Sequence, residues 1–366
     1  MHISAPGKLM LPGEWAVLEV GNPCIVAAVN RRSHANIEKS DKIRIVLKDY
    51  DIDLTASYDG KQLIFKSIDE KQKEKIIFIK GAIEAALAFL GKSSAFKITT
   101  RNDDTEIIVD GQQKKIGFGT SAAAVVAVVS AILTFNGFDI SQRKNKDIIY
   151  KLSAIAHFFA QGKVGSAFDV AASTYGGAVL YRRFDSKWLS EEMQSKSVKE
   201  IAEEHWPHFS AENLPIPEGF VMLIGWTKES ASTSAMIKQM DAFKISEAAE
   251  YKRIYDEIAN LLKDLVPAWR VGEEKDIFYL INKNELLLRE LTEKSGVPIE
   301  TADLRKLSEI AARHGAGKLS GAGGGDCGIA ICFSEANAEK IKEEWKKAGL
   351  YIVDAEIDEE GVRAEA

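Results

Sequence analysis

The stretch Lys115-Ile116-Gly117-Phe118-Gly119-Thr120-Ser121-Ala122-Ala123 runs directly into an apolar segment, 124–135, that reads as a helix. Small residues let a backbone approach a ligand closely. A helix start adds unpaired N–H groups and a positive dipole end, and two adjacent hydroxyls suit a phosphate or its metal. The stretch reads as a phosphate cradle. A Walker-type loop needs Lys and then Ser or Thr after its second glycine, whereas Thr120 follows Gly119 at once, so that assignment fails. Alone, a Gly-x-Gly before a helix is equally a tight turn, and the surrounding segments must decide.

Upstream, 25–30, 43–47, 52–57 and 63–66 carry β-branched or alternating residues, with Asp59-Gly60 as a turn; they predict a mostly antiparallel sheet. Helical spacing over 76–90 stops at Gly91, and 96–100 returns to strand character. Downstream, helices are expected over 122–135 and 146–161, with a short one after Ser166. Gly176-Gly177 then precedes a strand at 178–181. The chain turns polar and acidic over 187–217 and closes on Pro207, Pro215 and Pro217, which suits a helix and connector. A second unit follows, with a strand at 220–226 and helices at 234–243, 248–265, 276–293 and 303–314. Strands at 328–333 and 351–356 then flank a helix at 336–348. The expected plan is α+β, with domains at 1–190 and 218–366 joined through 191–217.

A chain of 366 residues exceeds what one core serves, which agrees with two domains. Its 46% hydrophobic and 28% charged residues are those of a globular protein. A net charge of -6 argues against wholesale binding to nucleic acid or an anionic membrane, so an anionic ligand must be held by a local cluster of cations. Cys24, Cys327 and Cys332 lack C-x-x-C spacing and read as buried thiols of a reducing cytoplasm. The first residues lack a signal-peptide pattern, and the apolar runs stop short of membrane-spanning length, so a cytoplasmic location is expected.

Three further segments carry compositions that packing alone does not explain. Ala5-Pro6-Gly7-Lys8-Leu9-Met10-Leu11-Pro12-Gly13-Glu14 presents a lysine between two Pro/Gly breaks. Gln161-Gly162-Lys163-Val164-Gly165-Ser166-Ala167-Phe168-Asp169 places a carboxylate near a helix start, where the dipole favours it. Lys318-Leu319-Ser320-Gly321-Ala322-Gly323-Gly324-Gly325-Asp326-Cys327 concentrates more glycine than a mere turn requires, at a cost in backbone entropy. A surface lysine, a helix cap and a hairpin are the plainer alternatives for the three.

Together with the cradle, these segments resemble the GHMP kinase superfamily, whose three motifs match 6–14, 117–123 and 320–325 in the family's order. Within it, 160–171, Arg182-Arg183-Phe184, Gly225-Trp226-Thr227 with Ser230 to Thr233, and 320–328 are most similar to the phosphomevalonate kinases. The resemblance implies an N-terminal domain related to a ribosomal-protein and elongation-factor module, joined to a ferredoxin-like C-terminal domain, with the active site in the cleft between them. It also implies a left-handed β-α-β connection under the nucleotide, against the usual hand. By the same resemblance Lys115, Gly117, Phe118, Gly119, Thr120, Ser121, Ala122 and Ala123 hold ATP, Ser121 and Asp169 hold Mg²⁺, and Asp169 with Lys8 is catalytic. A Lys8–Asp169 pair is expected to keep the carboxylate ionised. Lys163, Ser166, Arg183, Ser232, Ser320, Gly321, Ala322 and Gly323, with Lys8 and Asp169, are the expected contacts of the acceptor, 5-phosphomevalonate. Arg182, Lys228, Ser230 and Thr233 are weaker candidates. Part of the adenine wall is expected within 102–113, and a homodimer is an open expectation.

Departures from the pattern are visible. Mevalonate kinases carry a glutamate upstream of the catalytic aspartate that helps bind Mg²⁺, whereas this chain offers His157 and Gln161 there. Phe118 and Thr120 stand where Leu and Ser are usual, preserving bulk and hydroxyl. Alternatives within the superfamily are a mevalonate kinase and a decarboxylase that begins by phosphoryl transfer. The alternative outside enzymes is a silent ligand sensor that keeps the fold.

Overall fold

The computed structural model describes residues 1–92, 95–103, 106–109, 112–162, 165–229 and 233–365. In the first half the strands are β1 (His2–Met10), β2 (Pro23–Lys39), β3 (Ile43–Leu47), β4 (Ile52–Tyr58), β5 (Leu63–Phe65), β6 (Phe96–Asn102), β7 (Glu106–Val109), β8 (Gln112–Lys115), β9 (Ala178–Arg182) and β10 (Ser210–Leu214). The helices are α1 (Glu70–Leu90), α2 (Thr120–Phe135), α3 (Arg143–Ala160), α4 (Phe168–Tyr175), α5 (Ser186–Glu192) and α6 (Val198–Glu203). The second half holds β11 (Val221–Trp226), α7 (Thr233–Ser246), α8 (Ala248–Val271), α9 (Glu274–Ser295), α10 (Ala302–Ala312), β12 (Ala316–Leu319), β13 (Cys327–Cys332), α11 (Glu335–Lys347), β14 (Tyr351–Val353) and β15 (Arg363–Ala364).

The first sheet is organised by β2, which pairs with β1 along one flank and with β9 and β6, end to end, along the other. Its order is β10-β9-β2-β6-β3-β4-β5, and among the described residues only the β3–β6 contact is parallel. Helix α1 is bounded by local chemistry: Asp69 and Gln72 form a reciprocal capping box, and Gly91 closes the other end in the left-handed region. Helix α2 is apolar nearly all round, so it can only be a core element. It packs against α1, α3, β1 and β2, with Val125, Val126, Val129 and Ile132 fully buried.

Side-chain alternation along β1 and β2 explains how the two halves become one body. Met10, Val26 and Ala28 point into the core with α1–α4, whereas Leu9, Leu11, Ile25, Ala27 and Val29 join a second core built on α8 and α9. Apolar on both faces, these strands must be covered on both. The second sheet is antiparallel throughout, in the order β12-β13-β11-β14. With α7–α10 between β11 and β12, and α11 between β13 and β14, its chain order is that of a split β-α-β, ferredoxin-like unit.

Two segments sit elsewhere than their composition suggests. The 191–217 stretch contains a strand as well as a helix, because β10 pairs with β9 at the edge of the first sheet. Its Ser-Ala-Glu-Asn-Leu sequence has little strand propensity, and the pairing is a tertiary decision. The chain end also returns to the first sheet: β15 pairs with β1, Val29 bridges to Ile357, and buried Arg32 is ion-paired with Asp358 while donating to Gly361 O at 2.7 Å.

Candidate active site

The site is built where three glycine-bearing segments cross closely enough to exclude side chains. Strand β1 shifts register between Pro6 and Gly7, and a Cβ at Gly7 would lie 2.7 Å from Phe118 O. Lys8 follows immediately; its N–H donates to Phe118 O at 2.8 Å and its Nζ to Gly117 O at 2.9 Å. A Cβ at Gly117 would lie 1.9 Å from Asp326 Oδ2, and the Gly117 N–H instead donates to Asp326 Oδ1 at 3.2 Å. Gly119, with φ of +70°, ends the turn as the N-cap of α2 and lies under the Lys8 side chain. The Ser320 hydroxyl completes the junction, accepting from Met10 N and donating to Met10 O, each at 2.9 Å.

A cleft of about 430 Å³ opens over this junction. Lys8, 116–121 without Phe118, Thr233, 320–323 and Asp326 line it, so both halves of the chain contribute. Among the described residues, the N–H groups of Thr120 and Ser121 have no protein acceptor, as expected at the first turn of a helix left open for an anion. Burial raises the pKa of Asp326, while the neighbouring Lys8 ammonium pulls it down.

Asp169 enters from the first turn of α4, after a left-handed turn at Ala167 (φ 58°). Its Oδ1 accepts from Val170 N at 2.9 Å, and its Oδ2 lies 3.9 Å from His157 Nε2. That same nitrogen is 3.2 Å from Ser121 Oγ and 3.5 Å from Gln161 Nε2. His157 comes from α3, is buried, and packs at a tilt against Phe78 with ring centroids 5.1 Å apart. Burial lowers its pKa against the opposing pull of Asp169, so the imidazole is neutral near pH 7. The expected Lys8–Asp169 ion pair is absent. Lys8 is held by a carbonyl of the glycine turn, and the side chain beside Asp169 is instead the neutral imidazole of His157. The reason is positional: β1 delivers Lys8 beneath the turn, whereas α3 and α4 bring His157 and Asp169 together.

The other expected site residues divide. Lys163 and Ser232 lie outside the described residues, as do Ser230 and parts of the 102–113 stretch. Lys115 ends β8, opposite Glu106. Phe118 is buried under the turn, and Ala122 and Ala123 face the core with their N–H groups on Gly119 O. Ser166 is buried, its carbonyl accepting from Tyr181 OH. Arg183 reaches the same stretch, donating to Gly165 O at 3.3 Å, while its buried Nε has no partner among the described residues. Arg182 instead points to Gly21 O, and Lys228 takes Lys114 Nζ on its carbonyl. Gly321, Ala322 and Gly323 line the cleft, whereas the hydroxyl of Ser320 is committed to β1.

Beneath the cleft lies a charged network that residue-by-residue reading of the motifs did not single out. Lys318 and Glu14, both wholly buried, form an ion pair, and Asn284 Nδ2 donates to Glu14 Oε2 at 3.2 Å. Next to them Glu285 accepts from Leu319 N at 2.9 Å, and burial raises its pKa to about 7 against the pull of Lys318. The folded carboxyl therefore keeps its proton up to about pH 7, while the unfolded one releases it near 4.5. Between these values the native state binds more protons, and stability falls as pH rises. Glu285→Gln keeps an acceptor for Leu319 N and removes that decline. Its stability gain over the wild type should be near zero at pH 4 and grow to at most about 3 kcal/mol at pH 8 in urea unfolding. Parallel pH profiles for the two proteins would discard the assignment.

Comparison with known proteins places the chain. Residues 78–177 match the GHMP kinases N terminal domain and 277–350 the GHMP kinases C terminal region. The chain is 30% identical over 359 residues to the phosphomevalonate kinase of Streptomyces sp. (strain CL190), covering 94% of each. It belongs to the GHMP kinases. Its fold superposes on the structure of Streptococcus pneumoniae phosphomevalonate kinase in complex with phosphomevalonate and AMPPNP, with a TM-score of 0.82 and 25% identity over 98% of this chain and 99% of that one. The mevalonate kinase of Thermococcus sibiricus is also similar, at 27% identity over 99% of this chain and 97% of its own length.

In this GHMP kinase, Asp326 and His157 are the site residues that sequence reading left without a role. Asp326 had a signal, since it ends a glycine run, but the reason those glycines are needed is a carboxylate in a distant segment. His157 had a weaker one: it stands in the neighbourhood where mevalonate kinases carry a glutamate, but a histidine on an amphipathic helix reads more readily as core.

Proposed function

We propose that this chain is an ATP-dependent phosphomevalonate kinase, moving the γ-phosphoryl group of ATP onto the phosphate of 5-phosphomevalonate to give 5-diphosphomevalonate and ADP. The observation that carries the reading is the crossing of Lys8, the 117–121 turn and the 320–326 turn in one cleft, in a chain whose full-length relatives include phosphomevalonate kinases. The open N–H groups at the start of α2 suit the phosphates of ATP. Phosphoryl transfer passes through a loose transition state that needs positioning and neutralisation, which Lys8 can supply from beneath the cradle.

Ser121 and Asp169 offer hard oxygen donors facing one imidazole nitrogen, a set compatible with Mg²⁺ that retains several waters. Bound there, Mg²⁺ would neutralise the phosphates. Among the described residues no carboxylate pairs with Ser121, where mevalonate kinases carry a glutamate, and this favours the phosphorylated acceptor over mevalonate. His157 orients Ser121 through a hydrogen bond and stands beside Asp169. His157→Phe keeps the ring volume against Phe78 and should raise the Mg²⁺ concentration for half-maximal binding of a non-hydrolysable ATP analogue by about 10-fold or more, with His157→Gln between the two. An unchanged Mg²⁺ requirement in His157→Phe would remove this role.

An ADP-release panel with mevalonate, 5-phosphomevalonate and 5-diphosphomevalonate, read beside CO₂ release, tests the whole reading. Turnover on the second alone, without CO₂, is expected. Equal activity on the first two would overturn it, and CO₂ release would assign a decarboxylase.

A further inference from the structure

Asp326 puts a carboxylate on the wall of a cleft that must take polyanions. A negative charge there opposes bound phosphate, so its presence calls for a use within the protein. Its backbone is fixed first. Asp326 sits at a φ of 64°, in the left-handed region that aspartate tolerates better than most residues. Its N–H donates to Glu229 O at 2.7 Å, and its carbonyl accepts from Thr227 N at 3.0 Å and from Thr227 Oγ1 at 3.1 Å. The turn before β13 is thereby tied to the segment that follows β11, and the side chain starts from a braced base.

From that base it crosses to the first half of the chain. Oδ1 accepts from Gly117 N at 3.2 Å and from the Cys327 thiol at 3.7 Å. Oδ2 fills the space that a side chain at residue 117 would need, 1.9 Å from where its Cβ would stand. The other end of Gly117 is held as well, since its carbonyl accepts from Lys8 Nζ at 2.9 Å. Gly117 is therefore clamped between a carboxylate and an ammonium. Glycine is the most permissive residue for backbone rotation, so its carbonyl needs an outside brace to keep one direction.

We propose that Asp326 is a positioning residue for phosphoryl transfer: by holding the Gly117 N–H it aims the Gly117 carbonyl at Lys8 and sets where the ammonium stands in the cleft. The effect passes through Lys8 and uses the acceptor oxygen of Asp326, not its charge. This inference rests on the proposed function for the part that Lys8 plays in the transfer.

The test is a double-variant cycle read as single-turnover transfer at saturating ATP and acceptor. Asp326→Gly removes the carboxylate and leaves the left-handed backbone unstrained, while Asp326→Asn keeps a neutral acceptor for Gly117 N. Asp326→Gly should slow transfer about 30-fold in the wild type, the scale of a misplaced catalytic group, without raising the KM for ATP. In Lys8→Met the same change should cost less than about threefold, because the group it positions is already gone. Asp326→Asn should keep the rate within about threefold of the wild type. A residue that only supports the fold costs the same factor in both backgrounds, so equal losses overturn the proposal. A rate in Asp326→Asn as low as in Asp326→Gly also overturns it, because charge would then be the cause. The cycle is run on whichever acceptor the ADP-release panel identifies, so a different acceptor overturns the proposed function and not the clamp. A wild type that transfers to none of the panel overturns both.

Discussion

In single-turnover transfer at saturating ATP and acceptor, Lys8→Met should lower the rate about 1,000-fold and Asp169→Asn only about 10- to 30-fold. The difference follows from the acceptor. A phosphate monoester has its second pKa near ~6 and is already mostly a dianion at neutral pH, so little proton remains for a base to remove. What the step requires is positive charge between two polyanions. Lys8 brings that charge to the turn, with Nζ 2.9 Å from Gly117 O. Methionine keeps the stem that lies over Gly119 and loses the ammonium alone. Asparagine at 169 keeps an acceptor for Val170 N and so preserves the start of α4. Equal losses in the two variants would make Asp169 a base and discard the division of labour.

The second large effect concerns stability. Lys318→Met should cost about 3–5 kcal/mol in urea unfolding, because it leaves the wholly buried Glu14 carboxylate without its paired cation. The double variant Glu14→Gln, Lys318→Met should recover more than half of that loss. A neutral amide still accepts from Asn284, and removing both charges avoids the cost of burying either. Additive losses would mean that the pair matters through its separate contacts, such as the Lys318 bonds to the carbonyls of Leu11 and Leu319. The consequence reaches the site, since Glu14 carries the turn at Trp15 and Lys318 leads into the 320–326 turn.

Much of the architecture was legible because local signals are strong where elements are amphipathic or bounded. Strand β3 is found at the predicted 43–47, and α1 ends at the predicted Gly91. Strands β10, β12 and β15 were not legible, since polar, glycine-bearing or two-residue segments are strands only by virtue of their partners. Strand β2 runs well past the predicted 25–30, because Arg32, Ser33 and His34 are polar yet buried, Arg32 by the returning chain end, Ser33 against Asn102 of β6 and His34 against His2 and Asp103. The site was read in the same uneven way. Its glycines announced themselves, while the groups they make room for did not.

The Lys115-to-Ala123 stretch by itself determined that a helix begins at a small-residue turn with hydroxyls at its head, and with its companion segments it determined the family. Backbone conformation and residue size are local properties, and they can be read in order along a chain. Only the tertiary structure decided that Gly117 is glycine because Asp326 lies against it, that Lys8 rests on the turn rather than on Asp169, and that His157 stands between Asp169 and Ser121. Those relations join residues up to about two hundred positions apart. They depend on which apolar faces find each other first, and no local pattern encodes which polar groups that burial will bring into contact.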